Sequence, residues 1–263
     1  MYINLAEVKL NVQVQGEDAP LVMLHGLTSN ISAMQPEIDR LSQSYQTIAI
    51  DSRGHGLSTK PAQYTLQNHI DDVLGVMEAL KLEKIFLMGS SMGSYIAQGV
   101  AIQEPRRVAK LVLVTPKAHG RTSSVARLIG QHAQELAGKS PEEIQAFVLA
   151  KIFAPTTSPE VKTALASFGQ QQLEAGLVLT PEQNLAANKA LENFDFRPTL
   201  ASINAKTLVI SGRHDPLNPP EEGELLASLI PDATFVVLEH SGHLPAQEEP
   251  ERLIALIEEF LRD

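Results

Sequence analysis

Gly89-Ser90-Ser91-Met92-Gly93 has residue types and spacing suited to acyl-transfer chemistry, and it closes the apolar run Ile85-Phe86-Leu87-Met88. An apolar run that ends in Gly-x-Ser-x-Gly and continues with helical spacing predicts a strand, a sharp turn and a helix. So tight a turn presses helix backbone onto strand, and Gly89 and Gly93 stand where a side chain would collide. Ser91 then projects its hydroxyl from the carboxyl end of a buried strand, with the Met92 amide facing the same space. A serine hydroxyl is a weak nucleophile until an imidazole accepts its proton. Many ordinary turns match this pattern by chance, so it needs a base, an acid and a second oxyanion donor at neighbouring strand ends.

Those residues follow other apolar runs. After Thr207-Leu208-Val209-Ile210 comes Ser211-Gly212-Arg213-His214-Asp215, and after Thr234-Phe235-Val236-Val237-Leu238 comes Glu239-His240-Ser241-Gly242-His243. With Ser91 these give the chain order Ser, Asp, His. His243 would take the serine proton and return it to the leaving group, while Asp215 would fix the imidazole tautomer and stabilise the imidazolium. An oxyanion needs donors aimed at it in advance, each commonly worth about 2.7–4 kcal/mol. The candidates are the amides of Met92 and Leu27, the latter in His25-Gly26-Leu27 after the run Pro20-Leu21-Val22-Met23-Leu24. His240 is a rival base, Asp51 a rival acid and Ser90 a rival nucleophile, although Ser90 lacks glycines at both flanking offsets.

These groups share one edge only if the runs are parallel strands. Val8 to Val14 alternates apolar and polar residues, as a half-buried antiparallel strand does, with Tyr2 to Leu5 as its hairpin partner. The runs at 20–24, 47–50, 85–88, 110–114, 207–210 and 234–238 are nearly continuous, as for strands covered on both faces. Helical spacing between them, as at Leu66, Ile70, Val73, Leu74, Met77 and Leu80, argues for a mostly parallel sheet flanked by helices. From Pro116 to Thr199 the strand-like runs disappear. Ser123 to Leu136 reads as one helix, and Ser140-Pro141-Glu142-Glu143, Ser158-Pro159-Glu160 and Thr180-Pro181-Glu182-Gln183 open three more. The expected organisation is a core of residues 1–116 and 200–263 with an all-helical cap at 117–199, hinged near Pro116 and Pro198.

Composition narrows the partners. The chain has 263 residues and a net charge of −10, with no long basic block, which argues against nucleic acid. No run approaches a membrane span and no leader-like start is present, so the expected setting is cytoplasmic, with no membrane partner. With no cysteine, and no histidines at i, i+4 around a glutamate, no metal site is expected; no phosphate loop or other cofactor motif is present either. The sequence leaves the oligomeric state open.

The chain resembles the α/β-hydrolase superfamily from end to end, through Leu24-His25-Gly26-Leu27, Asp51-Ser52-Arg53-Gly54-His55-Gly56-Leu57-Ser58, Gly89 to Gly93, Gly212-Arg213-His214-Asp215 and Ser241-Gly242-His243. The resemblance implies an eight-stranded α/β-hydrolase fold with Ser91, Asp215 and His243 catalytic, Leu27 and Met92 as oxyanion donors, and His25, Gly26, Gly89 and Gly93 in support. It favours His243 over His240 and makes Asp51 a structural acceptor of loop amides near Arg53. His55 and His214 are expected in loops, and His69, His119 and His132 on the surface or cap. Gln170-Gln171-Gln172 is expected to be a solvated cap face. The implied activity is hydrolysis of a small to medium carboxylic ester through an acyl-enzyme. Enol-lactonases and carbon–carbon bond hydrolases share the motif set, as do acyltransferases and slow-turnover ligand sensors. Serine at the elbow and the absence of tryptophan disfavour dehalogenase and epoxide-hydrolase chemistry. Lys117, Arg121 and Arg127 are the cations on offer for an acidic substrate.

Overall fold

A computed structural model describes residues 1–262. The strands are β1 (Tyr2–Asn4), β2 (Lys9–Gln15), β3 (Pro20–Leu24), β4 (Gln46–Ile50), β5 (Ile85–Ser90), β6 (Val108–Val114), β7 (His119–Gly120), β8 (Phe194–Asp195), β9 (Lys206–Gly212) and β10 (Ala233–Leu238). The helices are α1 (Gln35–Leu41), α2 (Leu66–Ala79), α3 (Met92–Gln103), α4 (Ser124–Gln131), α5 (Ala133–Leu136), α6 (Pro141–Ile152), α7 (Pro159–Glu174), α8 (Pro181–Lys189), α9 (Pro220–Leu229), α10 (Pro245–Glu248) and α11 (Pro250–Arg262).

Eight strands make one sheet in the order β1-β2-β4-β3-β5-β6-β9-β10. The β1–β2 and β2–β4 pairs are antiparallel and the rest parallel. The near-continuous apolar runs are explained by burial on both faces. In β3, Leu21 and Met23 pack with Ile38 and Leu41 of α1 and with Leu253, Ile257 and Phe260 of α11. Val22 and Leu24 point the other way, into a cluster with Ile70 and Val73 of α2 and Ile96 and Val100 of α3. Register then sets what meets at the carboxyl edge. Leu24 pairs with Gly89, Ser90 with Val114, and Val114 with Ile210, so the loops after β3, β5 and β9 emerge side by side.

Between β6 and β9 lie α4 to α8, with helix starts where the sequence places them. Capping boxes form at Ser140/Glu143 and Thr180/Gln183, and the Ser158 side chain caps α7. Two expectations for this segment are corrected. It is not wholly helical: β7 and β8 pair antiparallel (His119 with Asp195, Gly120 with Phe194) and close the root of the insertion. Residues 123–136 form two helices rather than one, because His132 at φ −110°, ψ 20° leaves helical geometry. Among the described residues no helix is long and apolar enough to cross a membrane.

Candidate active site

The turn after β5 has the geometry its glycines suggest. A Cβ on Gly89 would stand 2.1 Å from the Gly93 carbonyl oxygen, and one on Gly93 would stand 2.2 Å from that of Leu24. Between them Ser91 adopts φ 50°, ψ −114°, a backbone that L-residues rarely take, just before the first residue of α3. Its amide donates to Val114 O at 2.9 Å, which pins the turn to β6.

Ser91, Asp215 and His243 meet. His243 Nε2 lies 3.0 Å from Ser91 Oγ, and His243 Nδ1 lies 2.7 Å from Asp215 Oδ2. The Asp215 carboxylate is sealed from solvent. Its other oxygen accepts from the amides of Leu217 (2.8 Å) and Asn218 (3.0 Å), which hold the carboxyl group in place. An acceptor carboxylate on Nδ1 requires that nitrogen to carry the proton, which leaves Nε2 free to accept from the serine hydroxyl. His240 is exposed, and its amide donates to Glu249, whereas the imidazole bonded to Ser91 Oγ is that of His243.

The loop after β3 lies against this centre: a Cβ on Gly26 would be 3.6 Å from that of Ser91. The Gly26–Leu27 peptide is held from its carbonyl side, where His25 Nδ1 donates at 2.7 Å and Ser29 N at 3.2 Å. In a trans peptide the N–H points opposite the carbonyl, so these bonds orient the Leu27 amide away from His25. Met92 opens α3, so its amide has no intrahelical acceptor. His25 Nε2 accepts from the Ser52 amide (3.0 Å), which with the Nδ1 bond defines a neutral ring. Burial also pushes its pKa down.

Asp51 is a structural acceptor, as the resemblance implies. It takes the amides of Ile31 (2.7 Å) and Leu57 (2.8 Å) and the Asn11 side chain (2.9 Å). His69 is not on the surface. It is 1% exposed on α2, in a buried group with His55 and Tyr64. Neither His69 nitrogen, nor His55 Nε2, nor the Tyr64 hydroxyl has a partner among the described residues. Burial lowers both imidazole pKa values, that of His55 to about 3. His69 escaped the sequence reading because a lone imidazole on an amphipathic helix gives no sign of which face it occupies.

The inserted helices bond the loops after β3, β9 and β10. Gln172 of α7 is not merely solvated: its side-chain oxygen accepts from Asn30 Nδ2 at 2.7 Å in the loop after β3. Ser124 of α4 donates to Asn218 Oδ1 (2.6 Å), and Asn218 Nδ2 donates to the Tyr95 hydroxyl (2.8 Å), one turn beyond Ser91. The cations are largely committed. Arg127 donates to the carbonyls of Pro216 (3.0 Å) and Leu217 (2.6 Å). Lys117 is buried beneath the Tyr95 and Phe194 rings, and that burial brings its pKa down to about 8. Arg121 remains exposed. No group of side chains among the described residues could hold a metal ion.

Sheet order, elbow and edge loops are those of α/β-hydrolases, and comparison with known proteins agrees. The model of the alpha/beta hydrolase fold family matches residues 19–250, and the chain belongs to that family of hydrolases. It is 31% identical to 3-oxoadipate enol-lactonase 1 of Acinetobacter baylyi, over 100% of this chain and 96% of that protein. It is 30% identical to a 2-hydroxymuconate semialdehyde hydrolase of Pseudomonas putida, over 98% and 92%. Among solved structures, a thermophilic esterase from Thermogutta terrifontis superposes with a TM-score of 0.80 at 28% identity, covering 97% of this chain and 93% of that one.

Proposed function

We propose that the protein is a serine hydrolase that cleaves a small to medium carboxylic ester through an acyl-enzyme. The observation that carries this reading is the hydrogen-bonded path from Ser91 Oγ through His243 to the buried Asp215 carboxylate. Ser91 Oγ attacks the ester carbonyl while its proton passes to His243 Nε2. The amides of Leu27 and Met92 receive the oxyanion. The C–O bond breaks, and the leaving alkoxide takes the proton from Nε2. Water then attacks the acyl group, giving its proton to Nε2, and the second collapse returns that proton to Ser91 and releases the acid.

Enol-lactone hydrolysis is a second reading, supported by the full-length similarity to an enol-lactonase. A lactone is a cyclic ester, so the same steps apply. Commitment of Arg127 and Lys117 to structural contacts argues that neither selects an acidic substrate.

A panel of p-nitrophenyl esters of increasing acyl length, run beside neutral and carboxylate-bearing lactones, separates the readings. Wild type should turn over at least one short ester and Ser91→Ala none; equal turnover by both would refute the assignment. Faster hydrolysis of the carboxylate-bearing lactone than of any open ester would favour the second reading.

A further inference from the structure

We propose that Glu248 is a positioning residue, which makes the placement of His243 depend on the inserted segment at residues 152–157. The proposal rests on the catalytic reading of His243 given above.

Glu248 closes α10, five residues beyond His243, and its carboxylate bridges two parts of the chain. Oε2 accepts from the amides of Gly242 (2.8 Å) and Leu244 (3.2 Å), one on each side of the base. Oε1 faces the insertion and accepts from the Ala154 amide (2.7 Å) and the Thr157 hydroxyl. The amide between those of Gly242 and Leu244 belongs to His243 itself, and it donates to Ile152 O at 2.7 Å, again in the insertion. All three amides from Gly242 to Leu244 are therefore taken, one by the insertion directly and two by a carboxylate that the insertion also grips.

Close contact makes this coupling tight. A Cβ on Gly242 would lie 2.1 Å from Ile152 O and 2.8 Å from the Phe153 carbonyl carbon, so the two backbones touch with no side chain between them. Any movement of residues 152–157 must carry the base loop with it or break these bonds. Displacement of a catalytic group by about 1 Å can cost about a hundredfold in rate. The His243 ring is thus held by Asp215 at one end and, through its backbone, by the insertion at the other. Substrate contacts that settle α6 and α7 would set the base at the same time.

The carboxylate needs four acceptor positions, which predicts how substitutions fail. Glutamine turns an NH2 toward one pair of donors whichever way it lies, so Glu248→Gln must lose one side of the bridge. Thr157→Val removes a single donor at nearly constant volume and guards against a folding defect.

The test measures kcat and KM on p-nitrophenyl acetate at a temperature where every variant is folded by circular dichroism. It also records the low-field proton resonance of His243 Nδ1–H. The expected result is a kcat about ten- to a hundredfold lower in Glu248→Gln, with KM nearly unchanged and the resonance shifted or broadened. Thr157→Val should move both readouts the same way, by less. Wild-type kcat and an unchanged resonance in Glu248→Gln would overturn the proposal, as would a loss of thermal stability alone. His243→Ala is the control: if it keeps wild-type turnover, the catalytic reading itself fails.

Discussion

Ser91 occupies a conformation that favours glycine, and it does so beside two glycines that cannot be replaced. Such a backbone costs about 1–3 kcal/mol and persists only where the surroundings enforce it. The expectation is that Ser91→Gly stabilises the fold by about 1 kcal/mol while abolishing ester turnover. Chemical denaturation of Ser91→Gly beside Ser91→Ala checks this, because alanine keeps the strain and should show no such gain. That Ser91, Asp215 and His243 could meet was legible because each follows a strand and each glycine answers a steric need that spacing reveals. Glu248 was not, because Glu248-Glu249 reads like any pair of solvent-facing charges until the donors around it are seen.

Elements were legible where local chemistry decides them. Proline at the first helical turn and reciprocal capping fix α6 and α8 from sequence, and apolar continuity fixes β3 and β5. The two-residue ladder of β7 and β8 was not legible, since its pairing partners lie about 75 residues apart and too few residues take part to leave a period. Nor was the role of α7, whose glutamines form a polar run with no marked member. One of them, Gln172, bonds Asn30, so Gln172→Ala should free α7 from the loop after β3. Amide exchange should quicken over 159–174 and stay unchanged over α11; equal protection in α7 of both proteins would show that the bond does not hold the helix.

Across the whole molecule, the carboxyl edge of the sheet gathers loops that the core presents and the insertion grips, through α4 at Asn218, α7 at Asn30 and residues 152–157 at the base loop. Behind this edge, the buried imidazoles of His25, His55 and His69 tie global stability to pH. Burial lowers all three from the ordinary 6.5. Unfolded chains therefore bind protons that the folded protein refuses, and stability present above about pH 6.5 is lost as pH falls toward the folded values. Each ring contributes up to about 1.4 kcal/mol per pH unit across its window. Burial raises the Glu37 pKa to about 7, which adds stability as pH falls through the same window, so the comparison of variants isolates the imidazoles. Melting temperature should drop less steeply, or rise more, between pH 7 and pH 5 in His69→Phe than in wild type if that variant folds; parallel profiles would contradict neutral burial of His69.

The most direct test of the account is to catch the acyl group on its serine. Rapid mixing with p-nitrophenyl acetate, acid quenching and peptide mass spectrometry should find one acetyl group per chain on Ser91 during an initial burst of p-nitrophenol, and none in Ser91→Ala or His243→Ala. Acetylation at another residue with full turnover, or an unchanged burst in Ser91→Ala, would contradict it.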